Sequence, residues 1–143
     1  MSGFRKTYSG SIHYLNDSQI FVFGSNTQGR HGKGAALTAR LKFGAIYGKP
    51  EGIQGKSFAI ITKDLTKKVH PSRTTSQVIS QIDKLYKYAI LHPDKEFIIA
   101  YKCGDHNLNA YSSHEMAKMF ASRDIPVNIV FDKQFYELVK LYI

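Results

Sequence analysis

Four short apolar runs constrain the fold of this chain more than any other feature. They occupy residues 20–24, 57–62, 97–101 and 127–131, and the first reads Ile-Phe-Val-Phe-Gly. Continuous apolar runs, as opposed to alternating ones, are typical of strands that are buried on both faces of a parallel sheet. Helix-forming segments at 35–43, 74–91, 113–122 and 133–142 alternate with these runs. The pattern predicts an α/β sandwich with a largely parallel sheet.

The remaining segments support fewer predictions. Residues 1–19 are expected to add an edge strand around Ile12 to Tyr14, and the glycine-rich stretch 45–56 is expected to be irregular. The chain has 143 residues and neither an internal repeat nor a linker, so we expect a single domain over residues 1–143.

The composition excludes several classes of protein. Hydrophobic residues make up 43% of the chain, which is too many for a disordered or fibrous protein. The one cysteine, Cys103, rules out an internal disulfide and a cysteine-based zinc site. No apolar run approaches the roughly 18 residues that a membrane span requires. We therefore expect a cytoplasmic protein with no membrane contact, no metal and no other cofactor.

Positive charge and glycine concentrate in one part of the chain. Residues 30–73 contain ten basic side chains and two acidic ones, and so carry +8 of the net charge of +9. Eight of the eleven glycines lie between Gly24 and Gly55. A flexible backbone under positive potential suits a phosphorylated ligand. The same charge suits a weak, sequence-independent contact between segment 30–73 and nucleic acid, and charge alone does not separate the two.

The segment from Gly24 to Ala36, with the sequence GSNTQGRHGKGAA, carries the strongest functional signal. Three of its glycines, Gly29, Gly32 and Gly34, allow backbone N–H groups to converge ahead of a helix whose dipole attracts anions. We therefore expect a phosphate or diphosphate to bind here. Three side chains of the same stretch add charge or hydrogen bonds: Arg30, His31 and Lys33.

Two side chains of this segment are candidates for catalysis. Asn26 lies at the end of a strand, where its carboxamide could grip a sugar hydroxyl or position a water molecule; the alternative is a turn asparagine. His31 has an ordinary pKa of about 6.5 and could act as a general acid or base, or only donate to phosphate. A third role for His31 is a solvated loop histidine that Arg30 and Lys33 keep neutral.

The segment from Ile20 to Thr62, which begins IFVFGSNTQGRHGKGAALTAR, resembles the macro-domain-like proteins of bacteriophages and prophages, which are similar to the ADP-ribose-binding macro domains. The likeness continues more weakly through Lys102–Gly104, Tyr111–Phe120 and Asn128–Phe131. It implies a three-layer α/β/α sandwich with a mixed, largely parallel central sheet, whose cleft takes ADP-ribose or a related phosphorylated nucleotide. A phage-encoded protein of this kind would work in the host cytoplasm.

The resemblance also implies a set of site residues. The stretch Gly29 to Gly34 and the following helix start would wrap the diphosphate, and Asn26 would address the distal ribose. A second loop would run from Cys103 to Tyr111. Apart from the resemblance, Tyr111 could stack on an adenine or ribose face, or it could fill the core or its rim as aromatic residues usually do. The residues expected to be catalytic are Asn26 and His31, and those expected to bind the ligand are Gly24, Ser25, Gly29, Arg30, Gly32, Lys33, Gly34, Ala35, Cys103, Gly104 and Tyr111.

Three functions follow as expectations. The first is a hydrolase that removes the phosphate from ADP-ribose 1″-phosphate or releases ADP-ribose from a modified group. The second is a module that binds ADP-ribose without turnover, which the lack of a carboxylate in the signature loop favours. The third is a nucleic-acid-binding protein that uses the basic segment and no pocket.

Overall fold

The computed structural model describes residues 5–103 and 109–143. These residues form one six-stranded sheet and four helices. The strands are β1 (Thr7–Tyr8), β2 (Gln19–Asn26), β3 (Gly52–Gln54), β4 (Ser57–Lys63), β5 (Glu96–Ile99) and β6 (Ile129–Asp132). The helices are α1 (Gly34–Lys42), α2 (Thr75–Leu91), α3 (Ser113–Phe120) and α4 (Lys133–Lys140).

The sheet is mixed and mostly parallel, as the apolar runs predict. Its strand order is β1-β6-β5-β2-β4-β3, and every neighbouring pair is parallel except β3 and β4. The central strand β2 pairs with β4 on one side and with β5 on the other. The carboxyl ends of these three strands therefore meet at one edge of the sheet.

Helices cover both faces of the sheet. Along β2, Ile20 and Val22 belong to a large core cluster that includes residues of α2, α3 and α4. Phe21 and Phe23 point to the opposite face and join a smaller cluster with α1. This alternation places every second residue of the strand in a different core, which is why the run is apolar throughout. The arrangement is compatible with the expected three-layer sandwich.

The predicted elements are confirmed with small shifts at their ends. The four apolar runs become β2, β4, β5 and β6, and the four helical segments become α1 to α4. Ser112 caps α3: its hydroxyl accepts from the amide of Glu115, whose side chain accepts from the amide of Ser112. This reciprocal pair is a capping box, which explains where the helix begins.

Two predictions about the less regular segments are wrong in part: residues 1–19 do add an edge strand, but not at the expected place, and 45–56 is only partly irregular. The edge strand is β1 at Thr7–Tyr8, parallel to β6, whereas Ile12 packs against the smaller core cluster without forming a strand. The stretch 45–56 is not wholly irregular, because it contains β3, which forms a hairpin with β4. Gln54 pairs with Ser57 across a two-residue turn in which Gly55 has φ +59°. Glycine serves such hairpin turns because it adopts a positive φ without strain.

Candidate functional site

The strand order creates a place where two connections leave the sheet in opposite directions. The chain after β2 leads to β4 on one side, and the chain after the neighbouring β5 leads to β6 on the other side. In open α/β sheets, ligands bind in the crevice that such a reversal opens beyond the carboxyl ends of the strands. The segments that leave β2 and β5 are the two loops that the sequence singles out.

A cleft of about 430 Å³ lies at this position. Its volume falls within the roughly 300–1,000 Å³ of typical small-molecule sites. We call it the apolar cleft, because most of its wall comes from hydrophobic residues of the strands and of α3: Val22, Phe23, Ile60, Ile99, Met116 and Phe120. Four of the expected ligand-binding residues also line it: Gly24, Lys33, Gly34 and Ala35. The cleft therefore suits a flat, weakly polar group beside the start of α1.

The first turn of α1 has no cap. Lys33 occupies the N-cap position with extended backbone angles, but its side chain makes no capping hydrogen bond and the first turn contains no acid. The other three helices are capped by the side chains of Thr74, Ser112 and Asp132. The amides of residues 32–36 make no hydrogen bond to any residue that the structure describes. Free amides at a helix start form a binding site for anions.

A second cavity, of about 280 Å³, adjoins the apolar cleft. The two share Lys33, Thr62 and Asn109. We call it the cationic cavity, because its remaining wall is mostly polar or positive: Ser25, Asn26, Arg30, Gly32, Lys63, with Ala36 and Leu65. An anion is the natural occupant of such a space.

A bulge in β4 separates the two cavities. Ser25 pairs with Ile61 and Asn26 pairs with Lys63, so Thr62 is the extra residue. Bulges of this kind redirect side chains and are common beside functional sites. Gly24 makes room for the Thr62 side chain, because a Cβ at that glycine would lie 3.2 Å from the Thr62 hydroxyl oxygen.

The Asn26 carboxamide is engaged within its own loop. Its Oδ1 accepts hydrogen bonds from the amides of Gln28 at 3.2 Å and Arg30 at 2.9 Å, and its Nδ2 donates to the Arg30 carbonyl at 2.9 Å. The Asn26 carbonyl also accepts from the amide of Gly29 at 3.0 Å. Asn26 lines the cationic cavity, but these bonds give it the role of a turn asparagine that shapes the loop. They also occupy two of the amides that were expected to hold diphosphate.

His31 is completely buried beneath the loop, with 0% of its surface exposed. It lines neither cavity, and its ring packs edge-on against Phe23 at 5.1 Å. Burial lowers the pKa of His31, and the charge of Arg40 acts in the same direction, while the Lys49 backbone opposes them. The expectation that His31 is a solvated loop histidine, kept neutral by Arg30 and Lys33, is therefore wrong. Burial and the charge of Arg40 favour the neutral ring instead.

One polar contact links His31 to the cationic cavity. Its Nε2 lies 3.3 Å from the hydroxyl oxygen of Ser25, which lines that cavity. Its Nδ1 makes no hydrogen bond of normal geometry to a described residue. His31 can therefore reach a ligand only through Ser25.

Gly29 has a structural reason to be glycine. Its φ is +66°, and a Cβ there would lie 2.6 Å from the carbonyl carbon of Gly48. The Gly29 carbonyl accepts from the amide of Gly48 at 2.8 Å, which ties the loop to the segment after α1. Gly29 lines neither cavity, so its role is to anchor the loop against the segment after α1.

The expected second loop lies only partly within the described residues. Gly104 lies outside them. Cys103 is half-buried, packs against the large core cluster and lines neither cavity. Tyr111 is 4% exposed, and its hydroxyl donates to the Arg73 carbonyl. Because Tyr111 lies in the core away from both cavities, the expected stacking on an adenine is not supported.

Three residues that line the cavities were not predicted from the sequence: Thr62, Lys63 and Asn109. Thr62 and Lys63 follow a buried parallel strand, and the rule that sites lie at the carboxyl ends of strands would have found them. Asn109 carries no such local signal. It lies in the core of the site because its Oδ1 accepts from the Tyr111 amide at 3.0 Å and its Nδ2 contacts the Met116 sulfur at 3.4 Å.

In residues 5–103 and 109–143, no three His, Cys, Asp or Glu side chains come close enough to hold a metal ion. Within the same ranges, no helix has both the length and the apolar character to cross a membrane.

Comparison of the chain with protein-family models, with curated proteins and with solved structures found no match.

Proposed function

We propose that this protein binds ADP-ribose or a related phosphorylated nucleotide in the apolar cleft. The diphosphate would lie against the free amides of residues 32–36, and the base or a sugar face would pack on the hydrophobic wall. The resemblance to macro-domain-like proteins supports the same ligand, as does the three-layer architecture with which the fold is compatible.

One observation carries this proposal: the uncapped start of α1 opens into the apolar cleft. Three helices have a side chain that satisfies their first amides, and α1 does not. An anion there would gain hydrogen bonds from the backbone and a favourable interaction with the helix dipole. Lys33, which lines the cleft, adds positive charge.

The arrangement of basic side chains favours a nucleotide over nucleic acid. Two of the ten basic side chains of segment 30–73 are already engaged: the Lys49 ammonium donates to the Ile53 carbonyl at 2.8 Å, and the Lys56 ammonium donates to the Leu15 carbonyl at 3.0 Å. By contrast, Arg30, Lys33 and Lys63 converge on one cavity. Nucleic-acid binding through charge alone needs cations that are free to neutralise phosphates along a surface.

Isothermal titration calorimetry with ADP-ribose tests the proposal. We expect saturable binding that is weaker for AMP and absent for adenosine, because adenosine lacks the phosphates that the amides of α1 would hold. A nucleic acid of arbitrary sequence serves as the comparison ligand. Neither heat nor a thermal shift with millimolar ADP-ribose would contradict the proposal, and tight, strongly salt-dependent binding of the nucleic acid alone would support the alternative.

Hydrolysis is the second candidate, and the contact between Ser25 and His31 favours it. A hydroxyl within reach of a neutral imidazole is the usual arrangement of an activated nucleophile. In this candidate, His31 takes the proton as the Ser25 oxygen attacks the phosphorus of a phosphate monoester in the cationic cavity. The bond from phosphorus to the sugar oxygen breaks, and that oxygen takes a proton from a water molecule in the cavity, because His31 reaches the ligand only through Ser25. The hydroxide that this leaves attacks the phosphoserine, phosphate departs, and the Ser25 oxygen recovers its proton from His31.

Incubation with ADP-ribose 1″-phosphate, followed by an assay for free phosphate, tests the hydrolase. Ser25→Ala should abolish the release and His31→Gln should lower it, while Ser80→Ala, at an exposed position of α2, should not change it. Thermal unfolding of each variant shows whether it is folded. If the folded parent protein releases no phosphate, the hydrolase candidate is refuted, and the calorimetric titration alone decides whether the ligand binds.

A further inference from the structure

We infer that the cationic cavity is a separate binding site for a phosphate monoester. Its volume of about 280 Å³ leaves room for a phosphate together with the first atoms of the group that carries it. The inference concerns the residues that this cavity does not share with the apolar cleft, chiefly Ser25, Arg30 and Lys63.

Three positive side chains line this cavity without a negative partner. Arg30, Lys33 and Lys63 form no ion pair with an acid of the described residues. Asp64 follows Lys63 in the chain, but its carboxylate accepts from the hydroxyls of Thr66 at 2.6 Å and Thr27 at 3.2 Å. These hydrogen bonds, that of Thr66 foremost, lower the pKa of the Asp64 carboxyl. The Asp64 carboxylate thus bonds to neutral hydroxyl groups and forms no ion pair with the three cations, which are available to a ligand.

Two buried hydroxyl groups complete the polar lining. Ser25 is 3% exposed and Thr62 is 4% exposed, and both side chains border the cavity. Their own hydrogen bonds are long: the Ser25 hydroxyl lies 3.4 Å from the Asn26 carbonyl and 3.3 Å from His31, and the Thr62 hydroxyl lies 3.4 Å from the Ser25 carbonyl. Hydroxyl donors normally lie about 2.5–3.0 Å from their acceptors. A phosphate oxygen would offer both groups a better acceptor.

The loop places the backbone of Arg30 at the wall of this cavity. The Asn26 side chain bonds both the amide and the carbonyl of Arg30, which fixes the point from which the exposed side chain extends. Arginine suits a phosphate monoester because its planar guanidinium can bond two oxygens at once. We expect the phosphate to order this guanidinium on binding.

The two cavities adjoin, so a single ligand could extend into both. Such a ligand would carry a phosphate monoester in addition to its diphosphate. This extension rests on the proposed function, whereas the phosphate site itself does not.

Titration with inorganic phosphate at constant ionic strength, followed by ¹H–¹⁵N NMR of the whole chain, tests the site. We expect saturable shifts of the Ser25, Gly32 and Lys63 amides. The double variant Arg30→Gln/Lys63→Gln should bind phosphate about tenfold more weakly, the effect of losing charge-assisted hydrogen bonds at a partly exposed site. The double variant Lys42→Gln/Lys68→Gln loses the same charge at exposed positions outside both cavities and should bind like the parent.

The inference is overturned if these amides do not shift, or if the control variant loses as much affinity as the test variant, since general attraction to a basic protein would then suffice. Shifts confined to Gly34 and Ala35 also overturn it, while leaving the proposed function intact. ADP-ribose titrations of the same proteins separate the two ideas further. Phosphate binding with no ADP-ribose binding refutes the proposed function alone. Loss of ADP-ribose binding in the Arg30→Gln/Lys63→Gln variant refutes the separateness of the site.

Discussion

Replacing Lys33 with serine should stabilise the protein and weaken its binding of ADP-ribose. Lys33 is the N-cap of α1, with φ −147° and ψ 158°, which is the extended conformation that capping serines adopt. A serine there can accept a hydrogen bond from an amide of the first helical turn. The same amides are the ones that we expect to hold the diphosphate, so cap and ligand compete.

The size of both effects follows from this geometry. A new N-cap contributes about 1 kcal/mol to helix stability, and for a domain of this length each such increment raises Tm by roughly 3 °C. Binding loses both a cation and part of the free-amide site. A charge-assisted hydrogen bond contributes about 1.5–3 kcal/mol, so affinity should fall at least about tenfold.

Two further variants separate the charge from the cap. Lys33→Gln removes the charge without a good capping group, so it should weaken binding but leave Tm nearly unchanged. Lys68→Ser makes the same substitution at an exposed position outside both cavities and should change neither quantity. Thermal unfolding without ligand and calorimetric titration with ADP-ribose measure the two effects in the same samples.

A Lys33→Ser variant that gains stability and still binds ADP-ribose as tightly as the parent would exclude the start of α1 as the diphosphate site. The serine hydroxyl would then occupy the amides without any loss of affinity for ADP-ribose, so the ligand would have to bind elsewhere. If Lys33→Ser and Lys33→Gln bind ADP-ribose with equal, reduced affinity, the loss comes from the Lys33 charge alone. The proposed role of the amides would then be wrong.

Three other predictions concern the loop beneath the site. Gly29→Ala should lower stability by about 1–3 kcal/mol, because its φ is positive and the added Cβ would meet backbone at 2.6 Å; Gly32→Ala, with open space around it, is the control, and equal Tm values for the two would contradict the packing. Burial lowers the pKa of His31 in the folded state below its ordinary value of about 6.5. Between the folded-state pKa and about 6.5 the unfolded chain therefore binds more protons than the folded one. The free energy of unfolding should fall as the pH drops through this range. His31→Gln should lose less Tm than the parent over that pH window, and identical pH profiles would rule out His31 as the cause. Asn26→Ala should speed hydrogen exchange of the Arg30 amide more than Asn26→Asp does, since aspartate keeps the acceptor; equal rates would show that this acceptor does not organise the loop.

The regular part of the fold could be predicted because the signal is local. Each apolar run is short enough to be one strand, and the capping boxes at Thr74 and Ser112 mark two helix starts within four residues of sequence. The edge of the sheet could not be predicted in the same way. β1 has two residues and exists because β6 offers it a partner, which is a tertiary effect. β3 depends on a tight turn at Gly55, and the sequence alone does not distinguish this glycine from the others of the same segment.

The candidate site shows the same division. The glycine-rich segment predicted the position of the site, because glycines and cations between a strand and a helix are a local pattern. The role of each residue depended on contacts that are distant in sequence. Gly29 needs to be glycine because of Gly48, and Thr62 faces the site because a bulge shifts its register against β2. No spacing rule reports either relation.

The loop divides its backbone amides between two kinds of partner. Asn26 uses its carbonyl and carboxamide oxygens to satisfy the amides of residues 28–30. Those bonds, together with the Gly29 contact beneath, fix the first half of the loop. The amides of residues 32–36 meet no described acceptor. Because residues 32–34 are exposed, their amides are open to water, and the anion that we propose would replace that water at the start of α1.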